Sequence, residues 1–267
     1  MPLIELPLLK ERLGPLAGRF DVDALDDCDS TSSELMRRAD RGAPSGTVVV
    51  ADRQSAGRGR RGRSWLSTPE SSLTFSLLWR FPGNATRLAG LSLAVGVGLV
   101  RALESLGARG VRLKWPNDML LETAAGHAKL AGILIELSSD RRGTQAVIGI
   151  GLNLAPPAGE LDAPAAGLSQ AMAAAPERHA VLAAVLRELA ALLDGFAVDG
   201  FAGLKSEWQS RHAWQGGAVQ ILGDGDGDGE APRAGTCLGV DDDGALLLDT
   251  PAGIERVFSG DVSLRRA

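Results

Sequence analysis

The stretch from Thr47 to Phe81 constrains the chain most. "TVVVADRQ" (47–54) is a short apolar run closed by polar residues, which reads as a buried strand. "LTFSLLWRF" (73–81) alternates. Leu73, Phe75, Leu77, Trp79 and Phe81 fall on one face, with Thr74, Ser76 and Arg80 on the other, so it reads as a half-buried strand. Between them lies "QSAGRGRRGRSW" (54–65), with Arg58, Arg60, Arg61 and Arg63 spaced by Gly57, Gly59 and Gly62 and no acid as far as Pro69. Two strands therefore present one flexible, strongly positive loop. Glycines let backbone N–H groups converge on an anion, and guanidinium forks grip phosphate oxygens two at a time. Three readings stay open here: a solvated basic loop, an RGG-like nucleic-acid tract, or a phosphate-gripping loop of an enzyme. A loop mounted on a rigid sheet favours the third.

The rest of the composition supports that choice. The chain has 267 residues and a formal net charge of -5, so its positive charge is local. A small anionic ligand suits this better than a long polyanion. With 45% hydrophobic and 23% charged residues, a packed core is expected. Cys28 and Cys237 are far apart, and with only His127, His179 and His212 they form no metal-like spacing, so no structural metal is expected. The first residues carry Glu5, Lys10 and Glu11 and lack the form of a signal peptide. The apolar stretch Leu88–Val100 is too short to cross a bilayer. The expectation is a cytoplasmic protein with no membrane contact.

Along the chain, "DSTSSELMRRADRG" reads as a helix with a Thr31/Glu34 capping box and Gly42 at its end. Ala85–Leu106 reads as one long helix, its glycines permitting close packing. "VRLKW", "KLAGILIEL" and "QAVIGIGLNL" read as strands, and Glu177–Val198 and Phe201–His212 as helices. After Trp214 the pattern changes to short strands separated by turns: "AVQIL", "AGTCLGV", "ALLLDT", "IERVFSG" and "VSLR". The expected fold class is α+β, a mixed sheet with packed helices over residues 1–215, followed by a small C-terminal β-barrel over 216–267. "GDGDGDGE" (223–230) opens like a calcium loop but lacks its closing acid, and reads as a hairpin tip.

Further polar residues stand at strand ends: Lys114, Asn117 and Asp118 in "KWPND", Lys129 in "KLAGIL" and Asn153 in "GIGLN". Each alone is more often a turn or a solvated side chain. In order, "DST…QSAGRGRRGRSW…KWPND…KLAGILIE…GIGLN" closely resembles the biotin–protein ligases, also called biotin–[acetyl-CoA-carboxylase] ligases. The C-terminal "GVDDDGALLLDTPAGIERVFSGDVSLR" resembles the family's SH3-like domain, and the likeness runs from about Asp27 to Arg265.

The resemblance implies a class II synthetase-like catalytic domain. It also implies a two-step reaction: biotin and ATP give biotinyl-5′-AMP and pyrophosphate, and the acceptor lysine then displaces AMP. It carries the biotin contacts onto Ser30, Thr31, Ser32, Gln54, Arg58, Gly59, Arg60 and Lys129; at Ser32 the family often has Asn. Arg60 would steady the adenylate phosphate and Lys129 the reacting oxygens. Asp118 would orient the acceptor amine or a metal-bound water. For ATP it implies Trp65 stacking on adenine, Arg61 and Arg63 near the departing pyrophosphate, and Lys114. Asn117 and Asn153 would meet the nucleotide or its magnesium (Mg2+), and Arg265 would reach ATP from the C-terminal domain. The partner it implies is the biotin carboxyl carrier protein of acetyl-CoA carboxylase. Only 29 residues precede Ser30, too few for the DNA-binding domain of the family's repressors, so an enzyme-only monomer or weak homodimer without DNA is expected. Lipoate or octanoate ligases and transferases share the wider fold and form the rival reading. Like charges and glycines disfavour a compact loop unless an anion gathers it, so biotin with ATP should protect Gly57–Arg63 from protease. Equal cleavage with and without them would contradict this.

Overall fold

The computed structural model describes residues 2–141, 143–157, 163–174, 177–222, 233–260 and 263–266. The chain opens with helix α1 (Leu6–Leu13), strand β1 (Asp21–Cys28), helix α2 (Thr31–Asp40), β2 (Thr47–Gln54) and β3 (Ser72–Phe81). Helix α3 (Leu91–Ser105), strands β4 (Val111–Lys114), β5 (Asp118–Thr123), β6 (Gly126–Asp140) and β7 (Gly143–Asn153), and helices α4 (Arg178–Asp199) and α5 (Lys205–Arg211) follow. The first seven strands form one mixed sheet in the order β1-β2-β3-β7-β6-β5-β4, in which β1 and β2 run parallel and the remaining neighbours antiparallel. β8 (Ala218–Leu222), β9 (Arg233–Val240), β10 (Leu246–Thr250), β11 (Gly253–Val257) and β12 (Ser263–Arg266) form a second, antiparallel sheet in the order β11-β10-β9-β8-β12. The fold is thus a mixed sheet with packed helices plus a small C-terminal β unit. The "GDGDGDGE" reading falls outside the described residues.

The two faces of the large sheet differ in chemistry. One carries the main core: Val48, Val50, Phe75, Leu77, Ile148, Ile150 and Ile133 pack beneath α3 and α4. Burying each such side chain stabilises by about 1.5–3 kcal/mol. On the other face a small apolar patch of Val49, Leu78 and Val147 seats Leu35 and Ala39 of α2. Beyond that patch the same face turns to hydroxyls and glycines, and the site lies there. Because α2 covers it, β3 is buried on both faces; Thr74 and Ser76 are enclosed rather than solvated, a correction to the half-buried reading.

Other local expectations change for physical reasons. The N-cap of α2 is Ser30, whose hydroxyl accepts from the Ser33 N–H, and not Thr31. The Thr31 hydroxyl is turned inward to Ser76, while Glu34 pairs with Arg37 and Arg38. The long helix from Ala85 is broken: a single 3-10 turn (Ala85–Leu88) precedes α3. Gly90 between them has φ 77°, and a Cβ there would stand 2.6 Å from the Phe201 Cβ. α3 is mostly apolar because most of it is enclosed, with Gly96 against Leu113 of the sheet and Gly98 against Leu189 and Leu192 of α4. Phe201–His212 likewise holds a 3-10 turn before α5. β1, β5 and α1 were not foreseen; β1 is rich in aspartate at a sheet edge, and β5 follows a turn that masks its start.

The second sheet is fastened against the first. The buried Trp115 indole N–H donates to the Gly244 carbonyl at 3.0 Å, and the Val240 N–H donates to Gln209 of α5 at 3.2 Å. These contacts bring Arg265 of β12 to the mouth of the site. At Gly90 the left-handed backbone and the Phe201 ring both oppose a side chain. Gly90→Ala should therefore lower unfolding stability by about 1–3 kcal/mol; an unchanged denaturation midpoint would contradict this account of the break.

Candidate active site

The β3–β7–β6 face makes the floor of a cavity. Its floor is open because glycines replace side chains. A Cβ on Gly149 would stand 2.5 Å from the Ser32 hydroxyl, and one on Gly151 would stand 2.2 Å from the Trp65 indole. Gly132, paired with Gly151 in register, continues the same shelf, and a Cβ there would stand 3.3 Å from Trp65. The indole thus lies across two backbone strands. Its Nε1 is buried and has no hydrogen-bond partner among the described residues.

One wall is a hydroxyl network. The Gln54 Oε1 accepts from the Thr31 N–H at 2.8 Å, and the Ser76 hydroxyl lies 2.9 Å from that of Thr31 and 3.0 Å from that of Ser32. Thr74 also lines the cavity, and its buried hydroxyl has no partner among the described residues. All eight residues carried over as biotin contacts line this one cavity: Ser30, Thr31, Ser32, Gln54, Arg58, Gly59, Arg60 and Lys129. Thr74, Gly132, Gly149 and Gly151 were missed. The signal was present in the polar face of "LTFSLLWRF" and in the alternate glycines of "GIGLN".

A second, larger cavity adjoins the first. Arg60, Arg61, Arg63, Lys114, Lys129 and Arg265 line it, with Asp118 as the acidic residue on its wall. Such a concentration of cations suits phosphate. Trp65, Asn117 and Trp214 line it too, and the Lys114 ammonium sits 5.2 Å from the Trp214 ring centre. Gly59, Arg60, Trp65, Asn117 and Lys129 border both cavities.

The arginine loop folds as a tight hairpin. The Gly59 N–H donates to Arg63 at 2.7 Å, and the Trp65 N–H to Gly57 at 2.9 Å. Arg61 turns the loop at φ 60°, a left-handed conformation that costs a non-glycine residue about 1 kcal/mol or more. Arg60 leaves it toward the shared wall, donating to the Asn117 Oδ1 at 3.1 Å and to the carbonyls of Ser259 and Gly260 in the C-terminal unit. Asn117 is held in turn by its amide, which donates to the Ile133 carbonyl at 2.8 Å. Arg58 pairs with Glu136 at the rim. Asn153 lines neither cavity: its amide donates to the carbonyls of Lys129 and Ala166, so it supports the Lys129 backbone from behind.

Asp118 sits at the start of β5, where the register places it opposite Lys114 on β4. Its carboxylate lies 2.7 Å from the Lys129 ammonium and 3.4 Å from that of Lys114. Burial alone would push this carboxyl up, but the two ammoniums outweigh it and hold the carboxyl below its ordinary value. For Lys114 the balance runs the other way. Burial pushes the ammonium down, with Arg265 and Lys129 adding to it, against the pull of Asp118. Because the folded Asp118 value is depressed, its stabilisation is present above the ordinary carboxylate range and is lost as pH falls through the depressed value. Asp118→Asn leaves the enclosed Lys114 ammonium and the partly exposed Lys129 ammonium without their counter-charge and should destabilise the fold by about 1–3 kcal/mol near neutral pH. The gap to wild type should close in acid. A constant gap across pH in denaturation curves would contradict the ion-pair account.

Comparisons with known proteins agree with this geometry. The Biotin/lipoate A/B protein ligase family matches residues 28–153, and the Biotin protein ligase C terminal domain matches residues 219–265. The bifunctional ligase/repressor BirA of Escherichia coli K12 is 36% identical over 273 residues, covering 99% of this chain and 80% of that protein. The biotin--[acetyl-CoA-carboxylase] ligase of Mycobacterium tuberculosis is 33% identical over 98% of this chain and 95% of its own length. Among solved structures, the biotin protein ligase of Aquifex aeolicus in complex with biotin and ATP superposes with a TM-score of 0.76 at 32% identity. It covers 92% of this chain and 99% of that one. With both sequence segments, the full-length relatives and the fold in agreement, the chain belongs to the biotin protein ligase family.

Proposed function

We propose that the chain adenylates biotin with ATP and transfers the biotinyl group to one lysine of a biotin carboxyl carrier protein, that of acetyl-CoA carboxylase by default. The observation that carries this reading is the pair of cavities sharing a wall of Arg60 and Lys129. An acid in the smaller cavity and a nucleotide in the larger would meet at those two cations. In the first step a carboxylate oxygen of biotin attacks the α-phosphorus and the bond to the β-phosphate oxygen breaks, releasing pyrophosphate. Two anions must approach each other, so concentrated positive charge lowers the barrier. Arg60 is assigned to the α-phosphate and Lys129 to the carboxylate and phosphate oxygens. Arg61, Arg63, Lys114 and Arg265 are assigned to the remaining phosphates. In the second step the acceptor amine attacks the acyl carbon, the bond to AMP breaks, and the amine loses a proton.

The geometry bears on the roles left open. A carboxylate held below its ordinary range is a poor proton acceptor, which favours Asp118 as the group that orients Lys129 rather than as a base. Asn117 would steady Arg60. Trp65 borders both cavities, so its indole would lie between the biotin ring system and the adenine. Asn153 would act from behind, by fixing the Lys129 backbone. Among the described residues no group of three His, Cys, Asp or Glu side chains could hold a metal. Magnesium would enter as part of the Mg·ATP substrate, carried on its phosphates. Residues 1–215 would form the catalytic unit and 216–267 the unit that brings Arg265 to the nucleotide, in a cytoplasmic enzyme.

The hydroxyl wall of Thr31, Ser32, Thr74 and Ser76 favours biotin over lipoate or octanoate. A ureido ring can pair with the partnerless Thr74 hydroxyl and use the spare lone pairs of the other three, whereas a dithiolane or acyl chain would leave Thr74 unpaired. ATP–pyrophosphate exchange should accordingly run with biotin and not with lipoate. Lys129→Ala should keep the fold and lower biotin-dependent pyrophosphate release by about 100- to 1,000-fold, as for removal of one oriented donor at a developing charge. Release at the wild-type rate would overturn the assignment.

A further inference from the structure

We propose that Glu136 is a positioning residue that fastens the arginine loop over the smaller cavity through Arg58. The proposal rests on that cavity being the acid-binding site. Glu136 belongs to the strand "KLAGILIEL", where the reaction gives it no task. Along β6, Gly132 and Leu134 line the smaller cavity, and the two-residue period of a strand puts Glu136 next on that face, at its rim. Its Oε1 accepts from Arg58 Nη2 at 2.5 Å. The other fork of the same guanidinium, Nη1, donates to the Ser33 hydroxyl in the first turn of α2 at 3.2 Å. Arg58 is thereby a strap from β6 to α2.

Two features make Glu136 the fixed end of this strap. Its side chain is only 19% exposed, against 44% for Arg58, so the carboxylate is set into the rim while the guanidinium comes to it from outside. Its Oε2 is buried and has no hydrogen-bond partner among the described residues, and its Oε1 pairs with Arg58. A carboxylate so placed favours the closed loop, because losing Arg58 would leave it enclosed without counter-charge. The hairpin transmits the anchorage. Arg58 bridges to Ser64, and the Gly59–Arg63 and Gly57–Trp65 hydrogen bonds tie the far side of the loop to it. Holding Arg58 therefore holds Arg60 and Trp65 at the wall between the cavities. Glu136 touches no reacting atom and acts through Arg58.

The effect is bounded by the strength of a half-exposed ion pair, which corresponds to about fivefold in an equilibrium constant. Glu136→Gln and Glu136→Ala should each speed dissociation of labelled biotin and raise its KM by about fivefold. The kcat at saturating biotin should stay within about twofold, because Arg60 and Lys129 are intact. Trypsin should cut at Arg60, Arg61 or Arg63 faster in both variants without any ligand, a readout that does not depend on catalysis. Unchanged loop cleavage and unchanged biotin dissociation in both variants would overturn the proposal. So would a fall in kcat and thermal stability together with an unmoved KM, since that is the mark of a merely structural role. Absence of biotin-dependent pyrophosphate release from wild type would instead sink the functional reading and leave the cleavage test standing.

Discussion

The site depends on the buried contact between Asp118 and the ammoniums of Lys129 and Lys114. Two cations cannot stand together in a partly enclosed place without a counter-charge, and one carboxylate between them supplies it. The register of β4, β5 and β6 makes the meeting obligatory. Asp118 pairs with Lys114 across one ladder and with Gly132 across the other, and the irregularity after Met119 sets Lys129 opposite Leu120. Lys129 is thus held by the sheet itself. Asn153 and the Pro164–Ala166 segment hold its backbone from the other side.

Around that fixed point the loop is built to be gathered. Four arginines in one short hairpin repel one another, and two of them relieve the repulsion by finding oxygen. Arg58 finds Glu136 and Ser33, and Arg60 finds Asn117 and two carbonyls of the C-terminal unit. The positive charge that an anhydride between two anions requires is therefore placed before chemistry starts. An acidic chain can carry such a loop because its four arginines line the two cavities, with Arg58 and Arg63 also reaching the surface. The glycine shelf under Trp65 completes the arrangement, since any side chain at Gly151 would displace the indole.

Much of this was legible in the residues. The buried run "TVVVADRQ", the alternation from Leu73 to Phe81 and the change to short strands after Trp214 each correspond to an element. Their order carried the family resemblance, and the two candidate sets fall on two adjoining cavities apart from Asn153. What was not legible depends on three-dimensional neighbours. That Ser30 caps α2 while Thr31 turns inward depends on Ser76, which stands 45 positions away. That Gly90 breaks a helix depends on Phe201. Aspartate-rich β1 gives no strand signal because strand propensity is a statement about packing, and at a sheet edge polar residues are admitted. Glu136 carries no signal of its own in "KLAGILIEL"; its partner comes from the loop that folds onto it.

The central claim is that these two cavities join biotin to a protein lysine through an adenylate. The most direct measurement incubates the chain with biotin, Mg·ATP and a biotin carboxyl carrier domain and follows the carrier by mass spectrometry while counting pyrophosphate. The account predicts a gain of one biotinyl group on a single lysine, one pyrophosphate per group transferred, and neither product when lipoate replaces biotin. Pyrophosphate release without biotin, or a carrier modified equally well with lipoate, would contradict it.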